Sequence, residues 1–139
     1  MYTYQYPRAA LTVDAIVFVN RNNKTFVLLI ERGREPFKNK WALPGGFIDM
    51  DETLEQACIR ELEEETLLKV SEMKQFRTYD AIGRDPRHRT ISVVFSTELK
   101  MKEKVKGSDD AAHARWFSID ELPELAFDHG IILTEFFEL

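Results

Sequence analysis

Apolar side chains recur with two different periods along this chain, and the change of period marks out its elements. Residues 11–19 are rich in β-branched and aromatic types that suit a pleated strand. The polar stretch from Asn20 to Lys24 supplies turn chemistry, and residues 25–31 return to strand composition, so a hairpin is predicted. Residues 41–44 read as a short extended piece ending in a turn at Gly45 and Gly46. Residues 74–81 and 90–99 read as further strands, and residues 114–117 as a short one.

The helical period takes over at residues 53–66. Thr53 and Gln56 form a Thr-x-x-Gln capping box, with acidic Asp51 and Glu52 just before it. Ser118 and Glu121 repeat that pattern and predict a short helix limited by Pro123. Asp128 is expected to cap a final helix through Phe137. Several strands with a mid-chain and a C-terminal helix predict an α/β or α+β sandwich. No repeat, low-complexity tract or linker divides residues 1–139, so one domain is expected.

At about 100° per residue, Ala57, Cys58, Glu61, Glu64 and Glu65 all fall within about 80° of Leu54. The three carboxylates are thus expected to continue the stripe that small apolar side chains begin, with Gln56 and Glu63 facing solvent. Like charges at i, i+3 and i+4 repel, and a divalent cation held by oxygen ligands offsets that cost. Arg60 stands four residues before Glu64 and can neutralise part of the cluster. Taken alone, the run 61–65 reads more readily as a solvated acidic face.

Composition narrows the partners. The net charge of −5 and pI near 5.3 argue against a nucleic-acid backbone as ligand and leave room for a small anion bridged by metal. The lone Cys58 allows no internal disulfide, and the N-terminus lacks the basic start and apolar run of a secretory signal, so a cytoplasmic location is expected.

Gly46, Glu52, Arg60, Glu61, Leu62, Glu64, Glu65 and Leu68 occupy eight of the nine defined positions of Gly-x5-Glu-x7-Arg-Glu-U-x-Glu-Glu-x-Gly-U, where U is aliphatic. This resembles the Nudix box of a family of diphosphate hydrolases. The departure is Leu67, where the pattern has glycine. Leucine in the left-handed turn that glycine permits carries about 1–2 kcal/mol of strain, so the helix is expected to run on or end differently.

The resemblance continues through Tyr6-Pro-Arg8, Glu35-Pro-Phe-Lys38, Lys40-Trp-Ala-Leu-Pro-Gly-Gly46, Arg84-Asp-Pro-Arg87 and Phe127-Asp-His129. These look like a subgroup that holds ADP-ribose pyrophosphatases and Nudix-related regulators of NAD metabolism. It implies a Nudix α/β/α sandwich with a mixed central sheet. Glu61, Glu64, Glu65 and the Gly45 carbonyl would hold Mg2+, with Mn2+ as the alternative ion. Glu52 and Arg60 would brace loop and helix. Glu64 or Glu65 would take the proton from water, with Asp109 or Asp110 on a later loop sharing that role or serving as ordinary turn residues.

Arg84, Arg87 and Arg89 concentrate positive charge in an acidic chain and are candidates for the substrate's phosphates, with a solvated turn organised by Pro86 as the equal alternative; Arg32, beside the sheet edge, is a weaker candidate. Phe37 and Trp41 are weaker candidates for stacking a base, and core packing is the alternative for both. His129 is expected to be structural, bonded to Asp128 or a loop carbonyl. The leading expectation is cleavage of ADP-ribose to AMP and ribose 5-phosphate. The alternatives are another Nudix substrate (a nucleoside triphosphate, NADH or a nucleotide sugar), a non-catalytic ADP-ribose sensor, or an interaction module. The regulators carry a winged helix after the Nudix domain, for which a chain ending at Leu139 is expected to have no room. Relatives that are homodimers leave two readings for Tyr2, Tyr4 and Tyr6, an interface or a flexible tail.

Overall fold

The computed structural model describes residues 1–108 and 111–139. In chain order its elements are β1 (Ala10–Arg21), β2 (Lys24–Arg32), β3 (Trp41–Ala42), β4 (Gly45–Phe47), α1 (Leu54–Thr66), β5 (Lys74–Tyr79), β6 (Thr90–Leu99), β7 (Ala111–Ser118) and α2 (His129–Phe137). The core of the sheet runs β3-β2-β1-β6-β5, with β4 added to β1 and β7 to β2. β1 and β6 are parallel, while the other pairs are antiparallel, so the sheet is mixed.

β1 is apolar on both faces because both are covered. Val13, Ala15 and Val17 join Ala57, Cys58 and Leu62 of α1, whereas Ile16 joins Ile132 and Leu133 of α2. β6 alternates in the same way, with Val93 and Phe95 toward α1 and Val94 toward α2. One helix on each face makes the expected α/β/α sandwich. β5 is the edge, and its Lys74 and Arg77 suit a strand that must not recruit another.

The hairpin and the strands are found near their expected places, with three differences. Gly45 and Gly46 do not turn; they form β4 and pair with Asp14 and Val13. The short helix after Ser118 is absent, because Ser118 closes a turn instead. Its carbonyl accepts from Glu121 N–H at 3.0 Å and its hydroxyl from Asp120 N–H at 3.2 Å. The chain is then drawn out beside β3, where Trp41 N–H donates to the Glu124 carbonyl and Ala126 N–H to the Trp41 carbonyl. Asp128 does precede α2, but its side chain makes no cap bond.

α1 begins as expected: Thr53 Oγ1 accepts from Gln56 N–H at 3.1 Å, and Gln56 Oε1 accepts from Thr53 N–H at 2.8 Å. It ends where the family pattern would end it. Leu67 adopts the left-handed conformation, φ 65° and ψ 10°, and its N–H donates to the Glu63 carbonyl. Thr66 supports this turn, its hydroxyl donating to the Leu62 carbonyl and accepting from Leu68 N–H. The expectation that the helix would run on or end differently is therefore corrected. Leu67→Gly should remove the strain at a smaller entropic cost, a net gain of about 0.5–1 kcal/mol, or about 2–4 °C in Tm. Thermal melts check this, and a lowered Tm would contradict it.

Candidate active site

β1 changes partner along one edge. β4 pairs with its residues 12–14 and β2 with residues 18–21, and between them Ala15 N–H donates to the Pro44 carbonyl at 2.8 Å. The segment 41–47 is thus wedged where β1 and β2 splay apart. A cavity of about 340 Å³ opens there, with the carboxylates of Glu61 and Glu65 on one wall and Arg32, Arg34, Arg84 and Arg87 on others.

Two glycines allow close packing at β4, Gly46 against a carboxylate of α1 and Gly45 against the backbone of β1. A Cβ on Gly46 would stand 2.7 Å from the Glu61 carboxyl carbon, and one on Gly45 would stand 2.1 Å from the Val13 carbonyl oxygen. Gly45 N–H donates to Glu65 Oε1 at 2.8 Å, and Glu65 is only 7% exposed. Glu64 differs from the expectation: its side chain is 42% exposed and it does not line the cavity. The buried stripe of α1 centres on Cys58, Leu62 and Glu65, which leaves Glu64 about 120° away from that centre.

Arg60 ties the loop before α1 to the helix. Its Nε and Nη2 hold both oxygens of Glu52, at 2.9 and 2.6 Å. Nη1 reaches Glu61 at 2.9 Å and Glu64 at 3.2 Å, and Nη2 also donates to the Phe47 carbonyl. Glu52 accepts in addition from Asp49 N–H at 2.8 Å. The Arg60 hydrogen bonds hold the Glu52 carboxyl below its ordinary range, and Glu52 in turn raises the guanidinium of Arg60.

One guanidinium stands within ion-pair distance of four carboxylates here, Asp49, Glu52, Glu61 and Glu64, so negative charge is in excess and every donor is oxygen. That chemistry fits a hard divalent cation. Among the described residues no three acidic or imidazole groups already stand at ligand spacing, and Arg60 Nη1 lies between Glu61 and Glu64. Side-chain rotation would have to accompany loading. Ser108 N–H donates to the Glu65 carbonyl at 3.1 Å. Asp109 and Asp110, the loop candidates beyond it, lie outside the described residues.

The arginines expected to meet phosphate are partly engaged within the protein. Arg84, 5% exposed, forms a two-pronged pair with Asp128 at 2.7 and 2.8 Å, which explains why Asp128 does not cap α2. Burial works against the charged form of Arg84, and the Asp128 bonds more than offset it, raising its pKa. Arg87 pairs with Asp85 at 2.8 Å. Burial alone would raise Asp85, but the side-chain and backbone bonds from Arg87 carry it down to about 2. Arg32 Nε donates to the Pro36 carbonyl at 2.7 Å, with its guanidinium 5.0 Å from the Phe127 ring. Arg89 donates to the Asp80 carbonyl and is not part of the cavity wall.

Of the stacking candidates, Trp41 packs edge-on against Phe117 in the α2-side core, and Phe37 packs on Phe127. The aromatics that do line the cavity are Phe47 and Phe127, and Arg87 lies 5.4 and 5.7 Å from their rings. Sequence reasoning missed these two, together with Arg34 and Asp14. For Asp14 a signal existed: a lone carboxylate inside an apolar strand.

His129 is buried against this site, but its partner is neither Asp128 nor a carbonyl. Its Nδ1 accepts from Leu43 N–H at 3.0 Å, so the neutral ring carries its proton on Nε2, 3.7 Å from Asp14 Oδ1. Burial lowers its pKa below the ordinary 6.5. The unfolded chain therefore binds a proton below pH ~6.5 that the folded chain refuses, and stability falls as pH drops from there. The expected slope is about 1.4 kcal/mol per pH unit for this one proton. Urea unfolding from pH 7.5 to 5 should show it as the difference between the native chain and His129→Gln; superimposable profiles would refute it.

Comparison with known proteins places this geometry in context. The NUDIX domain model matches residues 10–136. An ADP-ribose pyrophosphatase of Methanocaldococcus jannaschii is 40% identical over 131 residues, 94% of this chain and 75% of that protein. The ADPR responsive transcriptional repressor NtrR of Acinetobacter baylyi is 31% identical over 95% of this chain, which spans 54% of the repressor. Among solved structures, the NUDIX domain of Shewanella oneidensis NrtR complexed with ADP ribose superposes with a TM-score of 0.88 at 30% identity, over 96% of this chain and 89% of that one.

Proposed function

The chain belongs to the NUDIX domain family, and from that footing we propose that it hydrolyses the diphosphate bond of a nucleoside diphosphate derivative, with ADP-ribose as substrate. The observation that carries the reading is the cavity at the fork of β1 and β2. Carboxylates of α1 lie against the Gly45–Gly46 backbone on one wall, with arginine side chains on the others. The complex of the Shewanella oneidensis domain with ADP ribose supports the choice of ligand.

Nudix hydrolases generally use divalent metal ions, and Glu61, Glu64 and Glu65 would hold them here, with Gly45 alongside. Bound there, Mg2+ or Mn2+ would acidify the attacking water and offset charge on the diphosphate. The chain's own residues do the rest. Arg32, Arg84 and Arg87 orient the phosphate groups, and Arg60 with Glu52 holds the loop against the helix. Water oxygen forms a bond to one phosphorus and the bridging P–O bond breaks, with the bridging oxygen leaving on the other phosphate. The water proton passes to a carboxylate of the α1 set, for which Glu65, in the cavity wall, is better placed than Glu64. The products are AMP and ribose 5-phosphate.

Product analysis over a panel of ADP-ribose, NADH, nucleotide sugars and nucleoside triphosphates tests the substrate. ADP-ribose should give the highest kcat/KM. A higher value for any other member would overturn the substrate while leaving the diphosphate chemistry intact. The likeness to a repressor supports a second reading, an ADP-ribose sensor, which requires binding without turnover.

A further inference from the structure

We propose that Asp14 is a specificity-determining residue that accepts hydrogen bonds from hydroxyl groups of a sugar carried by the substrate's diphosphate, an inference that rests on the diphosphate reading above. Asp14 sits in β1 between Val13 and Ala15, both fully buried, and its own side chain is 10% exposed. A carboxylate in such a place is costly unless it is well partnered. Its partners are incomplete. Oδ2 accepts from the Ser92 hydroxyl, whereas Oδ1 stands 3.7 Å from His129 Nε2, longer than a hydrogen bond.

Among the described residues no fully buried side-chain oxygen or nitrogen lacks a hydrogen bond, so Oδ1 keeps a face open to the cavity that Asp14 lines. An ionised carboxylate only accepts, so that face suits a hydroxyl, an amine or a cation and repels phosphate. Thr12, two residues earlier on the same face of β1, also lines this cavity. The arginines of the other walls suit phosphate. A ligand that is phosphate at one end and polyhydroxyl at the other matches both.

The test is calorimetric binding to the full chain with Ca2+ in place of Mg2+, using paired ligands that differ only by the second sugar. The pairs are ADP-ribose with the β-methyl ester of ADP, and UDP-glucose with the β-methyl ester of UDP, so that the charge on the diphosphate is the same within each pair. Hydrogen bonds to a charged group predict that the native chain favours the sugar-bearing member by about 10–100-fold. Asp14→Asn, which keeps shape and an acceptor for Ser92, should cut that ratio below about 3-fold with affinity for the ADP methyl ester nearly unchanged. An ADP-ribose analogue whose terminal sugar lacks hydroxyls should bind the native chain like the ADP methyl ester, a result independent of how the variant folds.

Equal weakening of both members by Asp14→Asn would assign the residue to cation binding or to the fold and overturn the inference. So would a native chain indifferent to the sugar. If UDP-glucose showed the ratio and ADP-ribose did not, the inference would stand and the ADP-ribose reading would fall. If ADP-ribose were hydrolysed and the ratio survived in the variant, the reverse would hold.

Discussion

Glu65→Gln should lower kcat on the diphosphate substrate by about 10²–10⁴-fold while shifting stability by less than about 1 kcal/mol. The separation follows from what Glu65 touches. Its Oε1 accepts from Gly45 N–H at 2.8 Å, and a glutamine carbonyl oxygen can accept the same bond. The packing of α1 against β4 is therefore kept, while the negative charge is lost and the second carboxylate oxygen becomes an amide donor. Because Glu65 is only 7% exposed, that charge is poorly screened and is the part of the side chain on which chemistry depends. Steady-state kinetics beside thermal melts check this. A variant with native kcat would remove Glu65 from the reaction, and one that failed to fold would make its role structural.

The two glycines of β4 should separate fold from function in a second way. A Cβ on Gly46 would meet the Glu61 carboxylate at 2.7–2.8 Å, the mobile end of a side chain, which can swing aside. Gly46→Ala should therefore fold, with Glu61 pushed away from the cavity and from Arg60. Misplacement of a reacting group by about 1 Å costs about 100-fold in rate, and a loss of that order in kcat is expected. A Cβ on Gly45 would instead meet the Val13 carbonyl oxygen at 2.1 Å, which is backbone of the central strand and cannot yield alone. Gly45→Ala should lower Tm sharply or prevent folding. Paired melts and kinetics decide it; the opposite pattern, Gly46→Ala unfolding and Gly45→Ala stable but inactive, would contradict the geometry.

Features that depend on residues close in sequence were legible before the fold was known. The Thr53–Gln56 capping box and the Arg60–Glu64 pair at i, i+4 are set by helical spacing. The Arg60–Glu52 pair came from the motif and is found. Features that depend on distant partners were not. Arg84 and Asp128 are 44 positions apart, so nothing local shows that the carboxylate will hold a guanidinium rather than cap α2. Ser118 lost its helix to a pairing of residues 124–126 with Trp41 that only the sheet brings about.

Periodicity also has finite angular resolution. It put Glu61, Glu64 and Glu65 on one stripe, but the width of the buried stripe is set by what packs on it. β1 and β4 cover Glu65 and most of Glu61 and leave Glu64 at the rim. Leu67 is the converse case: its intrinsic preference argued against a left-handed helix end, and the Thr66 hydrogen bonds with the buried Leu68 hold it there. The cavity itself exists because β1 changes partner between Asp14 and Phe18, a property of sheet topology that no single segment encodes.

The α1 carboxylates beside Gly45 and Gly46 are proposed to form a metal-dependent diphosphate hydrolase site. The most direct measurement is release of products from ADP-ribose by the purified chain, followed with Mg2+, with Mn2+ and with excess chelator. AMP and ribose 5-phosphate are expected in equal amounts with either ion and none with chelator. ADP-ribose that binds yet stays intact with every divalent ion tried would contradict it and leave the sensor reading in its place.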